Sequence, residues 1–212
     1  MPEFDRLNGR IAWIDVSFVE RQRTPEWAIH VGIQCHLAGM SLRDTSQHLE
    51  RLGVDRSHVA IHNWVHNAEL QPISTVTADQ IAVDETMIRV TGHEHWLYGA
   101  VDPSTNEIIH VSLFPATTKQ TTRWFLAELH RQCQLDDPVF LVDSASYLGT
   151  VLDEDGYRFQ VISHGNRNAI ERVFFEIERR TSSFANSFSH VTLETAQSWL
   201  EAFAVYHSAR QS

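Results

Sequence analysis

Two aspartates stand at the ends of apolar runs, Asp84 in IAVDET and Asp143 in FLVDSA. A carboxylate in such a run is costly to bury unless its charge is compensated. Either residue alone also fits a turn or helix-capping aspartate just past a strand. Together, on strands expected at the centre of one sheet, they indicate a site for Mg²⁺, which binds few carboxylates and leaves its other positions to water and phosphates. Two such ions would serve an in-line phosphoryl transfer, one activating the attacking oxygen and one neutralising the leaving oxygen.

A third carboxylate for this site has to come from elsewhere in the chain. The stretch NRNAIERVFFEIERR (166–180) has a helical pattern and contains Glu171, Glu176 and Glu178. At about 100° per residue, Glu176 lies about 140° around the helix from Glu171. Glu178 lies only about 20° from Glu171 but roughly 10 Å further along the axis. One metal site can therefore take Glu171 or Glu178, but not both.

Residues 79–212 have the strand and helix patterns of an α/β domain, with turn signals between them. Three strands of antiparallel type are followed by an amphipathic helix, a buried strand, a short helix, another strand, and helices near 167–184 and 192–208. The turn signals fall at Thr91-Gly92 and Asp102-Pro103. This order predicts a mixed five-stranded sheet flanked by helices, as in the ribonuclease H-like fold. Asp84 and Asp143 would then end central strands of that sheet.

Residues 25–70 predict three helices, preceded by an extension at 1–24 and followed by a polar linker at 71–78. Two short helices joined through a glycine turn, after a longer helix, form a helix-turn-helix pattern. The capping and stop signals are Ser41, Asp44, Gly39 and Gly53. We therefore expect an α/β chain with an N-terminal helix-turn-helix bundle.

The third of these helices, SHVAIHNWVHNA, has one apolar face that predicts a core contact. Residues on its other side would read base edges in a DNA groove, where asparagine suits adenine. These are Val59, His62, Asn63 and His66. The alternative is a merely polar helix face. His62 and His66 are four residues apart, but no third ligand or glutamate base accompanies them, so zinc is not favoured.

The charge balance at first argues against nucleic acid, because 27 acidic residues oppose 17 basic ones, of which Lys119 is the only lysine. An acidic chain with arginine in place of lysine indicates a surface adapted to high salt, although a GC-rich genome also exchanges lysine for arginine. Several basic side chains could still contact phosphate, most of them around the helix at 166–180. These are Lys119, Arg123, Arg167, Arg172, Arg179 and Arg180. High salt would also screen the overall negative charge.

The two cysteines, Cys35 and Cys133, are far apart in apolar helix-like stretches, which favours buried thiols in a reducing cytoplasm. No run of about 18 apolar residues and no secretory leader pattern occurs. We therefore expect a cytoplasmic chain that is neither secreted nor membrane-spanning.

Several segments together resemble an insertion-sequence transposase with an Asp–Asp–Glu triad, of the six-type family and its haloarchaeal branch. They include IAVDET, HWLYGAVDP, FLVDSASYL and HGNRNAIERVFFEIERRTSSFANSFSH, and the resemblance extends to SFVERQRTPEW near the start and ETAQSWLEAFAVY near the end. It covers nearly the whole chain. It implies a helix-turn-helix domain followed by a ribonuclease H-like (integrase-type) catalytic domain.

The resemblance assigns Asp84 and Asp143 as the first two members of the triad. For the third, the family's spacing of about 34 intervening residues leads to Glu178. The family's local frame, with an asparagine three residues before the glutamate and a basic pair eight and nine residues after it, fits only around Glu171. The matching residues are Asn168, Arg179 and Arg180. We choose Glu171 because loops lose residues at little cost, whereas a register shift rotates every side chain of a helix.

The family resemblance further implies a DNA transposase that binds two Mg²⁺ (or Mn²⁺) ions through Asp84, Asp143 and Glu171. It implies binding to terminal inverted repeats and to target DNA, and self-association as a dimer or higher on paired ends. One alternative is a non-catalytic DNA-binding protein derived from such a transposase. Another is a ribonuclease H-like metal-dependent nuclease, which the helix-turn-helix pattern makes less fitting.

Overall fold

The computed structural model describes residues 14–19, 23–68, 70–72, 78–132, 137–143, 147–162, 168–182 and 187–211. The predicted phosphate contact Arg167 and the predicted buried thiol of Cys133 lie outside these residues. The helices are α1 (Glu26–Leu37), α2 (Leu42–Arg51), α3 (His58–Asn67), α4 (Lys119–Gln132), α5 (Tyr147–Glu154), α6 (Asn168–Thr181) and α7 (Leu193–Ala209), with a 3₁₀ turn at Phe188–His190. The strands are β1 (Gln80–Val90), β2 (His93–Val101), β3 (Ile108–Phe114), β4 (Val139–Val142) and β5 (Phe159–Val161).

The five strands form one sheet in the order β3-β2-β1-β4-β5. β1 pairs antiparallel with β2, and β2 with β3, whereas β4 lies parallel to both β1 and β5. The β1–β2 turn has positive φ at Thr91 (53°) and Gly92 (78°), the conformation that a tight hairpin requires. The predicted mixed five-stranded α/β sheet of ribonuclease H-like type is confirmed.

Each face of the sheet is covered by its own set of helices, because successive strand residues point to opposite sides. Tyr98 and Phe140 belong to a core cluster with α4 and α5. Leu97 and Ala82 belong to a second cluster with α6 and α7. The sheet is therefore the middle layer of a three-layer sandwich.

The N-terminal helices form where the sequence predicts them. Ser41 caps α2 by accepting a hydrogen bond from the Asp44 amide, and Gly39 and Gly53 follow α1 and α2 with positive φ. α1 and α3 also pack against α7, and one apolar cluster runs from these helices to the sheet. The assignment of residues 25–70 as a separate DNA-binding domain stays a prediction.

The thiol of Cys35 is free and half-buried, and burial raises its pKa. Among the described residues, no helix has the length and apolarity needed to cross a membrane.

Candidate functional site

The register between β1 and β4 places the two predicted aspartates side by side. Parallel pairing matches Gln80 with Val139 and continues to Ala82 with Leu141. Two residues further in the same register, Asp84 comes level with Asp143, at the point where β4 has ended and β1 continues. Carboxylates from two neighbouring strands therefore meet at the C-terminal edge of β4, and both line one hollow of about 640 Å³.

A third carboxyl group, Glu85, lines the same hollow. Burial, the largest effect, and the nearby charges of Asp84 and Asp143 together raise the pKa of Glu85 to about 7. Its Oε2 atom is buried without a hydrogen-bond partner, while its backbone amide donates to Asp84 Oδ1 at 3.0 Å. The hollow thus gathers three carboxyl groups, and the charges of two of them contribute to the raised pKa of the third, Glu85.

The helix α6 lies against the sheet at the level of Asp84. Asp84 pairs with Gly99 across the β1–β2 ladder, so the two residues share a face of the sheet. A Cβ atom added to Gly99 would lie 2.8 Å from Ile170 Cδ1 and 3.1 Å from Phe174 Cε1. Glycine lets these two side chains of α6 pack directly on the strand, and any larger residue would have to displace their ends.

Glu171 follows Ile170 in the first turn of α6 and is exposed. It lines a second hollow of about 730 Å³, together with β1 residues from Thr86 to Arg89. Glu178 lines that hollow too, as its position two turns along the same helix face predicts. The structure brings Asp84 and Asp143 together, and leaves Glu171 in the neighbouring hollow. Over the described ranges, no three His, Cys, Asp or Glu side chains are arranged to hold a metal ion.

Glu176 points to a different side of α6, as the helix geometry predicts, and lies among basic groups of α6 and α7. Its Oε2 is 3.7 Å from His207 Nδ1, 3.9 Å from Arg180 Nη2 and 4.0 Å from Arg210 Nη1. Burial, the largest effect, lowers the pKa of His207, although Glu176 opposes that change. Arg180, proposed above as a phosphate contact, is itself buried, with its guanidinium over the ring of Phe203. α7 covers it, so its guanidinium does not face solvent.

The other candidate phosphate contacts differ in how available they are. Lys119 forms an ion pair with Glu154, and Arg123 binds Glu154 at 2.9 Å and Asp155 at 3.0 Å. Arg172 is exposed but donates a hydrogen bond of 2.7 Å to an amide oxygen, that of Asn106. The remaining described candidate, Arg179, is exposed on α6. Phosphate binding by Lys119 or Arg123 would compete with carboxylates, whereas Arg172 keeps its charge and further donors for a phosphate.

The outer face of α3 is only partly open. Val59 and Asn63 are exposed, as the helix-turn-helix prediction requires, and His62 is half-buried. His66 Nδ1 lies 3.1 Å from Ser198 Oγ of α7. Burial and the neighbouring imidazoles of His62 and His36 lower the pKa of His66 to about 4. His66 is therefore a neutral side chain packed on α7, which differs from the expectation that it points away from the core.

Sequence reasoning singled out only the two aspartates of this hollow and missed the other five described residues that line it, which are Glu85, Trp96, Thr117, Tyr147 and Thr150. The adjacency of Glu85 to Asp84 was visible, but a following residue in a strand normally points to the opposite face. Tyr147, four residues after Asp143, was visible as an aromatic just past a strand end. Trp96 lies on another strand, and no sequence signal connects it to the aspartates.

No family model matches the chain. It is 26% identical over 194 residues to an uncharacterized protein of Methanocaldococcus jannaschii, covering 90% of this chain and 89% of that protein. Among solved structures, it is similar to the HTLV-2 integrase catalytic core domain in complex with magnesium, in its dimeric form, at 14% identity and a TM-score of 0.39, covering 49% of this chain and 69% of that one. It is also similar to the BIV integrase catalytic core domain, at 13% identity and a TM-score of 0.43, covering 59% and 81%.

Proposed function

We propose that this protein is a DNA transposase. Residues 25–70 bind the terminal inverted repeats of its element, and the sheet domain cuts DNA at those ends and joins them to target DNA. The observation on which the proposal depends is that the β1–β4 register places Asp84 opposite Asp143 on the neighbouring parallel strand. Both are half-buried at an open hollow, so a substrate phosphate can reach them.

The residues of this hollow fit a divalent cation, Mg²⁺ or Mn²⁺. Glu85 brings a third carboxyl group with an unpartnered buried oxygen to the hollow, and a cation there would offset the repulsion from Asp84 and Asp143 that contributes to its raised pKa. Asp84 and Asp143 would hold the metal, with Glu171 as the third carboxylate in the triad. Bound ions, two in the proposed site, would activate the attacking oxygen and neutralise the leaving one.

The chain itself positions these groups through rigid elements. β1 and β4 set the level of the two aspartates, and the contact of Ile170 with Gly99 holds α6 against the face that carries Asp84. Sites built on strands and helices keep their geometry better than sites on loops. The third carboxylate then depends on how α6 is seated, since Glu171 follows Ile170 directly.

The acidic composition does not exclude DNA if the chain works in high salt, where exposed charges are screened. Arg172 and Arg179, both exposed, provide positive charge on the helix that carries Glu171. Val59 and Asn63 are exposed on α3 and are the best placed of the proposed base-reading residues. Joining of two element ends also requires self-association, as a dimer or higher.

The Asp84→Asn variant tests the proposal. It removes a metal-binding charge and keeps the size of the side chain, so we expect loss of Mg²⁺-dependent cleavage of repeat-end DNA with repeat binding retained. Asp153→Asn, the same exchange at an exposed position of α5, is the matched control and should cut normally. If purified Asp84→Asn protein cut repeat-end DNA as fast as the wild type, the site assignment would be wrong.

A second candidate function is that of a transposase-derived protein that binds DNA without catalysis. Glu171 lines a different hollow from Asp84 and Asp143, and catalysis by the triad requires that the three carboxylates meet at one metal site. A band-shift assay paired with a strand-transfer assay distinguishes the two functions. Binding without any joining, in Mg²⁺ or Mn²⁺, supports the second.

A further inference from the structure

Two aromatic side chains flank the carboxylate hollow. Tyr147 is the first residue of α5, and it is 49% exposed beside the carboxyl groups of the hollow. Trp96, on β2, is half-buried, and it packs against the α4–α5 core cluster as well as lining the hollow. The hydroxyl groups of Thr117 and Thr150 line the same hollow.

The exposure of Tyr147 is not explained by packing. Some aromatic residues on this side of the sheet are paired, as Tyr98 is with Phe125 and Phe114 at 5.3 Å between ring centroids, whereas Trp124 of α4 is exposed away from the hollow. Neither Tyr147 nor Trp96 has such a ring contact within the described part of the chain. An exposed aromatic ring beside a hollow that would bind a cation is suited to a flat ligand whose phosphate contacts that cation.

We propose that Tyr147 and Trp96 bind an unpaired nucleobase next to the phosphate that is cut. The proposal rests on the proposed function, and it adds that the base beside the cleavage point leaves the duplex and stacks on Tyr147, with Trp96 as the inner wall. Aromatic rings bind any base by stacking, because every base has a π face. Extruding a base costs least when it is already mismatched or single-stranded.

The dimensions and chemistry of the hollow agree with this occupant. Its volume of about 640 Å³ lies within the range of about 300–1,000 Å³ that is usual for ligand sites. The threonine hydroxyls can donate hydrogen bonds to the sugar and phosphate of the extruded nucleotide. The protein therefore prefers DNA ends that are frayed or single-stranded at the cleavage point over fully paired ends.

The experiment compares two repeat-end DNAs of one sequence, one fully paired and one with its terminal bases mismatched, each carrying fluorescent 2-aminopurine at the cleavage point. We expect the wild type to bind the mismatched end more tightly and to change the 2-aminopurine emission by stacking. In Tyr147→Leu, binding of the mismatched end should weaken about 5- to 150-fold, the usual cost of losing one stacked base. In this variant, the preference for the mismatched end and the change in 2-aminopurine emission should both disappear.

Two control variants separate stacking from general damage. Tyr147→Phe keeps the ring and should behave as the wild type does. Trp124→Leu removes an exposed aromatic residue of α4 that is not part of the hollow, and it should have no effect. If the wild type cuts DNA but Tyr147→Leu keeps the same preference and emission change, the base site is refuted and the proposed function stands. If the wild type binds neither DNA, the proposed function fails first.

Discussion

The Glu85→Gln substitution should make the folded chain more stable at alkaline pH. The pKa of Glu85 is raised from its ordinary value of 4.5 to about 7 in the folded chain, first by burial and then by Asp84 and Asp143. The unfolded chain therefore ionises this group at lower pH than the folded chain does. Stability is lost as pH rises from about 4.5 to about 7, and the loss is complete above that range.

The magnitude follows from the two pKa values. At about 1.4 kcal/mol per pH unit, a pKa raised from 4.5 to about 7 corresponds to at most about 3 kcal/mol of unfolding free energy. Glutamine cannot ionise, so the variant should avoid this loss and exceed the wild type by up to about 3 kcal/mol at pH 8. At pH 4 the two proteins should be nearly equal, because the wild-type carboxyl is then mostly protonated in both states.

Urea unfolding at pH 4, 6 and 8 measures the difference directly, because the free energy of unfolding extrapolates linearly with denaturant. Glu178→Gln, the same exchange at an exposed position, should follow the pH dependence of the wild type. Adding Mg²⁺ at pH 8 should stabilise the wild type, and it should stabilise Asp84→Asn much less. Identical pH dependence in wild type and Glu85→Gln would refute the reasoning, since the carboxyl could not then be buried beside two negative charges.

Two further substitutions test how α6 is held. Gly99→Ala should destabilise the chain by about 1–3 kcal/mol and slow Mg²⁺-dependent cleavage, because the added Cβ would lie 2.8 Å from Ile170 Cδ1. Thermal unfolding measures the loss of stability, and a cleavage assay measures the loss of rate. Gly149→Ala is its control, since the nearest atom is 3.8 Å away and alanine favours a helix by up to about 1 kcal/mol. Arg180→Ala should cost about 2 kcal/mol in urea unfolding through lost aromatic contacts, whereas exposed Arg179→Ala should change stability by less than about 0.5 kcal/mol. Equal effects of the two arginine substitutions would contradict the buried position of Arg180.

Most of the secondary structure could be predicted from the sequence because its signals are local. The glycine stops and the serine cap of the N-terminal helices appear at the predicted residues, and the Thr91-Gly92 turn has the backbone that a hairpin needs. The order of strands and helices then leaves few arrangements for the sheet. Asp143 follows the end of β4 as the local pattern predicts, but the predicted strand end at Asp84 is wrong, because β1 continues to Val90 as the antiparallel partner of β2.

The surroundings of individual side chains could not be read in this way. His66 and Arg180 both have exposed-looking positions on their own helices, yet α7 covers them. α7 begins at Leu193, more than 100 residues after His66, so no local pattern reveals the contact. A prediction of DNA contacts from one helix face does not take into account another helix that packs on that face.

The sequence by itself determined the elements and the chemistry that they carry: two aspartates that follow apolar runs, a helix with three glutamates, and turns that allow a mixed sheet. Only the tertiary structure decided that Asp84 and Asp143 lie opposite each other on neighbouring strands and share a hollow with Glu85, while Glu171 lines the neighbouring hollow. The physical reason is that backbone preferences act over a few residues. Distances between carboxylates, by contrast, depend on strand register and on how closely α6 packs over Gly99.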